Sequence, residues 1–197
     1  LAELFSLVRW PCVFYGGLIL AVVVSFWYIA KHRMPFWTTC DVFAPAIALG
    51  HVTGRLGCMA AGCCYGKPTD VPWAIIFTNP LAAANVGTPL NIPLHPTQLY
   101  EAGAELLILV LLLVTEKRWR PFPGRTFWLY MLLYAISRYI IEFYRGDPRG
   151  FPLFGLSTSQ LISLILVPLS LAMLVWLKRS TTPQTPQELP GRRKAAA

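Results

Sequence analysis

Two stretches of this chain run without a charged side chain for about the thickness of a bilayer. Trp10 to Ala30 is an uncharged 21-residue run, and Gly150 to Leu177 is an uncharged 28-residue run. A helix crosses a hydrocarbon core of roughly 30 Å with about 20 residues, and backbone in lipid has to satisfy its own hydrogen bonds. Three further segments, 39–62, 96–116 and 125–145, have similar length but carry ionisable residues: Asp41 and Arg55, Glu101 and Glu105, Arg138 and Glu142. With 55% hydrophobic and only 13% charged residues and a mean hydropathy of +0.53, a soluble globular domain is excluded. The fold class expected is all-α, a polytopic membrane helix bundle of about five transmembrane helices. It would form one domain over 1–179, with the polar, proline-rich 180–197 as a disordered cytoplasmic tail.

The basic residues give that bundle a direction. Lys31, Arg33, Lys117, Arg118, Arg120, Arg125, Lys178, Arg179, Arg192, Arg193 and Lys194 all fall in alternate connections or in the tail. The positive-inside rule then places the N-terminus outside and the C-terminus inside. The net charge of +8 is thereby explained by topology and by contact with the head groups of membrane lipids. Nucleic acid is not an expected partner, because the charges form no continuous stripe. Residue 1 is Leu, and a chain starting outside needs an upstream signal for insertion, so further helices are expected before it. Residues 71–94 are uncharged, yet they hold Pro72, Pro80, Pro89 and Pro93 with several asparagines. They are expected to form an outer loop at the interface, anchored by Trp73.

The ionisable residues inside apolar segments are the informative ones. Pro96 suits the first turn of a helix, which puts His95 at its cap and Gln98, Glu101 and Glu105 within its first turns. Tyr134, Arg138, Glu142 and Arg145 recur at spacings of four, four and three, which predicts one helical stripe. The second segment brings Arg55 to the same outer level. A charge near the membrane midplane costs at least about 2.5 kcal/mol and turns towards protein or a polar cavity. One Arg–Glu pair is ordinary interhelical glue; seven polar groups from three helices, Arg55, His95, Gln98, Glu101, Arg138, Glu142 and Arg145, predict a cavity. Guanidinium forks bind phosphate oxygens in bidentate fashion, so a phospholipid head group is the expected occupant.

The runs "HPTQLYE" at His95–Glu101, "GRLG" at Gly54–Gly57 with its glycine-rich turn ending at Gly66, "RYIIEFYR" at Arg138–Arg145 and "STSQLISL" with Gln160 resemble the prolipoprotein diacylglyceryl transferase family. "DVFAPAIALG" at Asp41–Gly50 is similar to the stretch preceding that family's signature, and the resemblance runs from about Phe14 to Leu164. It implies a seven-helix protein of the bacterial cytoplasmic (inner) membrane. The activity implied is transfer of the diacylglyceryl group of phosphatidylglycerol to the thiol of a prolipoprotein lipobox peptide, with release of glycerol phosphate and no cofactor. It also implies Arg55 and Arg138 on the phosphate and Glu142 orienting Arg138. Gly57, Gly66, Gln98, Tyr100, Glu101, Arg145 and Gln160 would then line the substrate site. His95 is the favoured acceptor of the thiol proton, because imidazole titrates near neutrality, with Glu101 or a tyrosine as the other candidates.

The chain departs from the family in two places. Tyr15, in Phe14-Tyr15-Gly16-Gly17, stands where the family has a histidine, and Cys58, Ala61 and Cys63 replace asparagine, asparagine and glutamate after "GRLG". Tyr15 would act only as a strongly activated phenol. Cys12 and Cys40 read as small core residues. A Cys58–Cys63 or Cys58–Cys64 disulfide is the expectation for the clustered cysteines, ahead of a reactive thiol or a metal site, since their spacing is not a zinc pattern. Two classes therefore follow from the sequence: a lipid-group transferase, of this acceptor or another, and a non-catalytic phospholipid-binding membrane protein.

Overall fold

The computed structural model describes residues 17, 19–118, 122–147 and 155–181. Tyr15, Cys12 and the tail beyond residue 181 lie outside the described residues. Helix α1 (Ile19–Lys31) leads into α2 (Phe36–Ala61). A connection containing β1 (Ile75–Ile76), α3 (Pro80–Val86) and β2 (Pro93–Leu94) follows, then α4 (Thr97–Arg118), α5 (Arg125–Ile141), one 3-10 turn (Glu142–Tyr144) and α6 (Thr158–Ser180).

Three of these helices are long and apolar enough to cross a membrane: α2, residues Thr97–Glu116 of α4, and α6. At 1.5 Å per residue, the 26 residues of α2 reach roughly 39 Å. Within the described residues α1 and α5 are shorter than the other three.

The bundle is apolar outside and partly polar inside. On α4 the buried residues Gln98, Glu101, Glu105, Ile108 and Leu112 follow one another at helical spacing, while Leu106, Leu107, Val110, Leu113 and Val114 are exposed. That inversion is what lipid demands: leucine gains nothing by turning away from acyl chains, whereas carboxylates and amides must find protein partners. Helix α2 packs along α4, α5 packs along α6, and α5 also touches α2 and α4. At the apolar end of the stripe, Ala44 and Ala48 of α2 meet Ile108, Leu112 and Tyr130. The two alanines are one turn apart, fully buried, and small enough to let the backbones approach.

Caps fix where the helices begin and end. Asp41 accepts hydrogen bonds from the backbone N–H of Gly124 (2.7 Å) and of Phe127 (2.9 Å), so a side chain of α2 caps the start of α5. Ser157 and Gln160 form a reciprocal capping box on α6. Gly62, at φ 69°, closes α2 by donating to the Cys58 and Met59 carbonyls.

The expected outer loop 71–94 has regular structure of its own. Ile75 and Ile76 pair antiparallel with Leu94 and Pro93, Asn79 caps α3, and Leu94 is fully buried. Trp73 is exposed, as an interfacial anchor would be, and its indole N–H donates to the Tyr100 hydroxyl at 2.8 Å.

The single stripe expected through Tyr134, Arg138, Glu142 and Arg145 is not formed. Helix α5 ends at Ile141 and the chain turns extended at Arg145 (φ −76°, ψ 140°). The cause is long-range pairing: Arg145 bridges antiparallel to Gly66, with Lys67 N–H on the Tyr144 carbonyl at 2.8 Å and Gly146 N–H on the Tyr65 carbonyl at 3.1 Å.

Candidate functional site

At the end of the bundle where α2 finishes and α4 starts, one carboxylate gathers three guanidiniums. Glu101, 5% exposed, has Arg55 Nε 2.5 Å from Oε2, Arg145 Nη1 against Oε1 and Arg138 Nη1 3.7 Å from Oε1. The arginines come from α2, from α5 and from the strand-like segment after α5, so no local stretch could assemble the group. Among the described residues, Arg138 and Arg145 each have a second carboxylate. Glu142 holds Arg138 at 2.6 Å, and Asp147 takes Arg145 in a two-point fork at 2.9 and 3.0 Å. Arg138 also donates to Ser159 Oγ at 3.0 Å, which ties the cluster to α6.

A polar cavity of about 320 Å³ opens beside this group, lined by Lys67, Glu142, Arg145, Asp147, Ser157 and Gln160 among others. Further along the α5–α6 seam lies a separate groove of about 390 Å³ formed by Ile136, Tyr139, Ile140, Ser163, Leu164, Val167 and Pro168. Among the described residues, Lys67, Arg55, Arg138 and Arg145 face Glu101, Glu142 and Asp147 around cluster and cavity.

His95 sits in an aromatic group beside the cluster. Its Nδ1 is 3.2 Å from the Tyr100 hydroxyl, and its ring meets the edges of Tyr144 and Tyr100. Gln98, 1% exposed, donates to the Cys63 carbonyl at 2.7 Å. Thr97 donates to the Cys64 carbonyl at 2.8 Å. The start of α4 thus clamps the cysteine turn.

Gly66 touches His95 so closely that a Cβ there would fall against the His95 carbonyl. Gly146 in turn would meet the Gly66 carbonyl at 2.6 Å, so Gly66 serves a backbone crossing that fixes Arg145. Gly57 is exposed on α2 with open space beside it and is not drawn into the cluster. Gln160 spends its side-chain oxygen on the Ser157 N–H, which makes it a cap at the cavity rim.

The expected disulfide is absent. Cys58, Cys63 and Cys64 are not bridged to one another, and Cys63 Sγ is directed to the Cys58 carbonyl, 3.6 Å away. Burial pushes the Cys63 thiol above its ordinary range.

Three participants had little signal in the sequence. His51 reaches Glu105 at 3.4 Å and the Tyr130 hydroxyl at 2.9 Å. Asp147 and Ser159 brace two of the arginines. His51 could have been found as an intramembrane histidine on the helix that carries Arg55; Asp147 and Ser159 lie in segments with no periodicity to place them.

The family model of prolipoprotein diacylglyceryl transferase matches residues 2–176. The chain belongs to the prolipoprotein diacylglyceryl transferase family. Among curated relatives, the phosphatidylglycerol–prolipoprotein diacylglyceryl transferase of Clostridium tetani is 41% identical over 155 residues, covering 79% of this chain and 59% of the relative. The like-named protein of Bordetella parapertussis is 35% identical over 167 residues, 84% of this chain and 61% of the relative. That of Vibrio cholerae is 34% identical over 169 residues, 83% and 58%. The matched part spans about three-fifths of the length of these relatives. Within the family's frame, the Glu101 cluster is built from the runs that carried the resemblance, "GRLG", "HPTQLYE" and "RYIIEFYR", now seen to meet in space.

Proposed function

We propose that this protein transfers the diacylglyceryl group of phosphatidylglycerol to the cysteine thiol of a prolipoprotein lipobox at the outer face of the bacterial cytoplasmic membrane. The observation that carries this reading is the convergence of Arg55, Arg138 and Arg145 on buried Glu101, beside a polar cavity, with an apolar groove between the same α5 and α6. A phospholipid needs both, a polar seat for the phosphate and an apolar track for its chains. The membrane-spanning helices, the family membership and the names of the relatives support the substrate. Topology follows the basic residues, with five spanning helices, N-terminus outside and C-terminus inside.

In the reaction, the acceptor thiolate attacks the glycerol carbon that bears the phosphate. A C–S bond forms, the C–O bond breaks, and the electron pair leaves with the oxygen of glycerol phosphate. A neutral thiol is a poor nucleophile, so a base takes its proton. His95 is that base, oriented by the Tyr100 hydroxyl, which Trp73 holds from its other side. Arg55 and Arg138 stabilise the charge that grows on the departing phosphate. Glu142 and Ser159 set the orientation of Arg138. Tyr15 and Gly57 are not assigned a step.

The test is glycerol phosphate release by the purified full-length protein in detergent, supplied with phosphatidylglycerol and a lipobox peptide. Release should require the peptide and fall by about 10²–10³ in Arg138→Lys, because a point charge does not replace a guanidinium fork aimed at a phosphate. His95→Ala should lower kcat and leave lipid binding in place. Peptide-independent release would replace this reading with a hydrolase, and no release by folded protein would replace it with a lipid-binding role.

A further inference from the structure

The thiols of Cys58, Cys63 and Cys64 lie with all three sulfurs within 4.8 Å of one another. They are brought together by the end of α2. Cys58 is in the last turn, Gly62 reverses the chain in the left-handed conformation, and Cys64 takes a left-handed backbone itself at φ 63°. Left-handed backbone is unfavourable for a side chain other than Gly or Asn, so the turn is held from outside. Gln98 and Thr97 do so, gripping the Cys63 and Cys64 carbonyls. Cys63 Sγ reaches back to the Cys58 carbonyl, 3.6 Å away, and the bridge between Gly66 and Arg145 brings that arginine to the same turn.

We propose that Cys58, Cys63 and Cys64 form a three-sulfur site for a thiophilic d10 cation, with Zn2+ as its first candidate. A tetrahedral ion with Zn–S bonds of about 2.3 Å needs sulfurs roughly 3.8 Å apart, which lies within the 4.8 Å that bounds the three sulfurs here. A disulfide would bring two sulfurs to about 2.05 Å and strand the third. Binding replaces three thiol protons with one dication, so Zn2+ and three thiols give a tris-thiolate complex of charge −1 and three released protons. Arg145, brought to this turn by its bridge with Gly66, is then an appropriate neighbour, since the complex it faces is an anion. Three protein ligands leave a fourth position open to water or an outside ligand. The sequence spacing gave no zinc pattern because the left-handed turn at Gly62 and Cys64, which aims the second and third sulfurs, is set by contacts from α4.

The experiment uses the full-length protein in detergent, reduced, stripped with chelator and titrated with Cd2+, which reports sulfur ligation through its ultraviolet charge-transfer band. Zn2+ content is measured in parallel by mass spectrometry. One ion per chain is expected, with affinity lowered at least tenfold in Cys58→Ser, Cys63→Ser and Cys64→Ser and unchanged in Cys40→Ser, whose thiol is at the opposite end of α2. Zinc should also protect the three wild-type thiols from alkylation, a readout that holds if a serine variant fails to fold. No uptake by reduced protein, uptake indifferent to all three serines, or a Cys58–Cys63 or Cys58–Cys64 bridge in protein taken unreduced from membranes would each overturn the proposal.

Discussion

Glu101 and Glu105 stand one turn apart on α4, at 5% and 4% exposure, and are treated very differently by their surroundings. Glu101 is shared by three arginines from separate parts of the chain. Glu105 has His51 Nδ1 at 3.4 Å, and that nitrogen is also 2.9 Å from the Tyr130 hydroxyl. One ring nitrogen cannot both donate to Glu105 and accept from Tyr130, so the His51–Glu105 tie is conditional on the tautomer. The His51 side chain is also 42% exposed, and Glu105 Oε2 is buried with no hydrogen-bond partner among the described residues. Equal burial on one helix face therefore says little about how a carboxylate is used. Partners decide it: a carboxylate held by three fixed cations organises a site for anions, whereas one tied to a half-exposed imidazole does not.

The strongest way to break this contrast is Glu101→Ala. Removing the shared carboxylate leaves three guanidiniums packed against one another, and the loss of one partner from a buried ion-pair group costs about 3–5 kcal/mol. Thermal unfolding in detergent should show a large drop in Tm together with loss of phosphatidylglycerol binding. A variant that melts like wild type would mean that the cluster is not a unit. Asp41 sharpens the contrast from the other end of the bundle. Its partners among the described residues are backbone N–H groups, so Asp41→Ala should cost about 1 kcal/mol, the usual worth of a helix N-cap. Transferase kinetics per folded molecule should be unaffected. The smallest effect is expected from Glu105→Gln. The amide keeps the shape and can donate as well as accept, so its stability should stay within about 1 kcal/mol of wild type. If Glu105→Gln abolishes activity while leaving Tm alone, Glu105 belongs to the chemistry and the two carboxylates are not the opposites described here.

Much of the site was legible in the residues. Pro96 marked the start of α4, with the helix beginning at Thr97. Glu101 and Glu105 were placed together on α4 by helical spacing, and Arg138 with Glu142 by the four-residue interval. Arg145 joins the Glu101 cluster but not from the helical stripe expected of it, because its position depends on pairing with Gly66, 79 residues earlier. The Asp41 cap on α5 spans 83 residues and leaves no mark in either segment. The cysteine turn misled for the same reason, since its two left-handed residues are held by Thr97 and Gln98 on another helix.

The sequence by itself determined that this chain is a helical membrane protein, which of its segments are apolar, and which helix faces carry charge. Those are consequences of local periodicity and of the cost of placing polar groups in hydrocarbon, and both can be counted along a line. Only the tertiary structure decided which charges meet. Three arginines chose Glu101 over Glu105, Arg145 left the helix to reach it, and three thiols converged without a bridge, because each of those outcomes depends on distances between segments that sequence order does not contain.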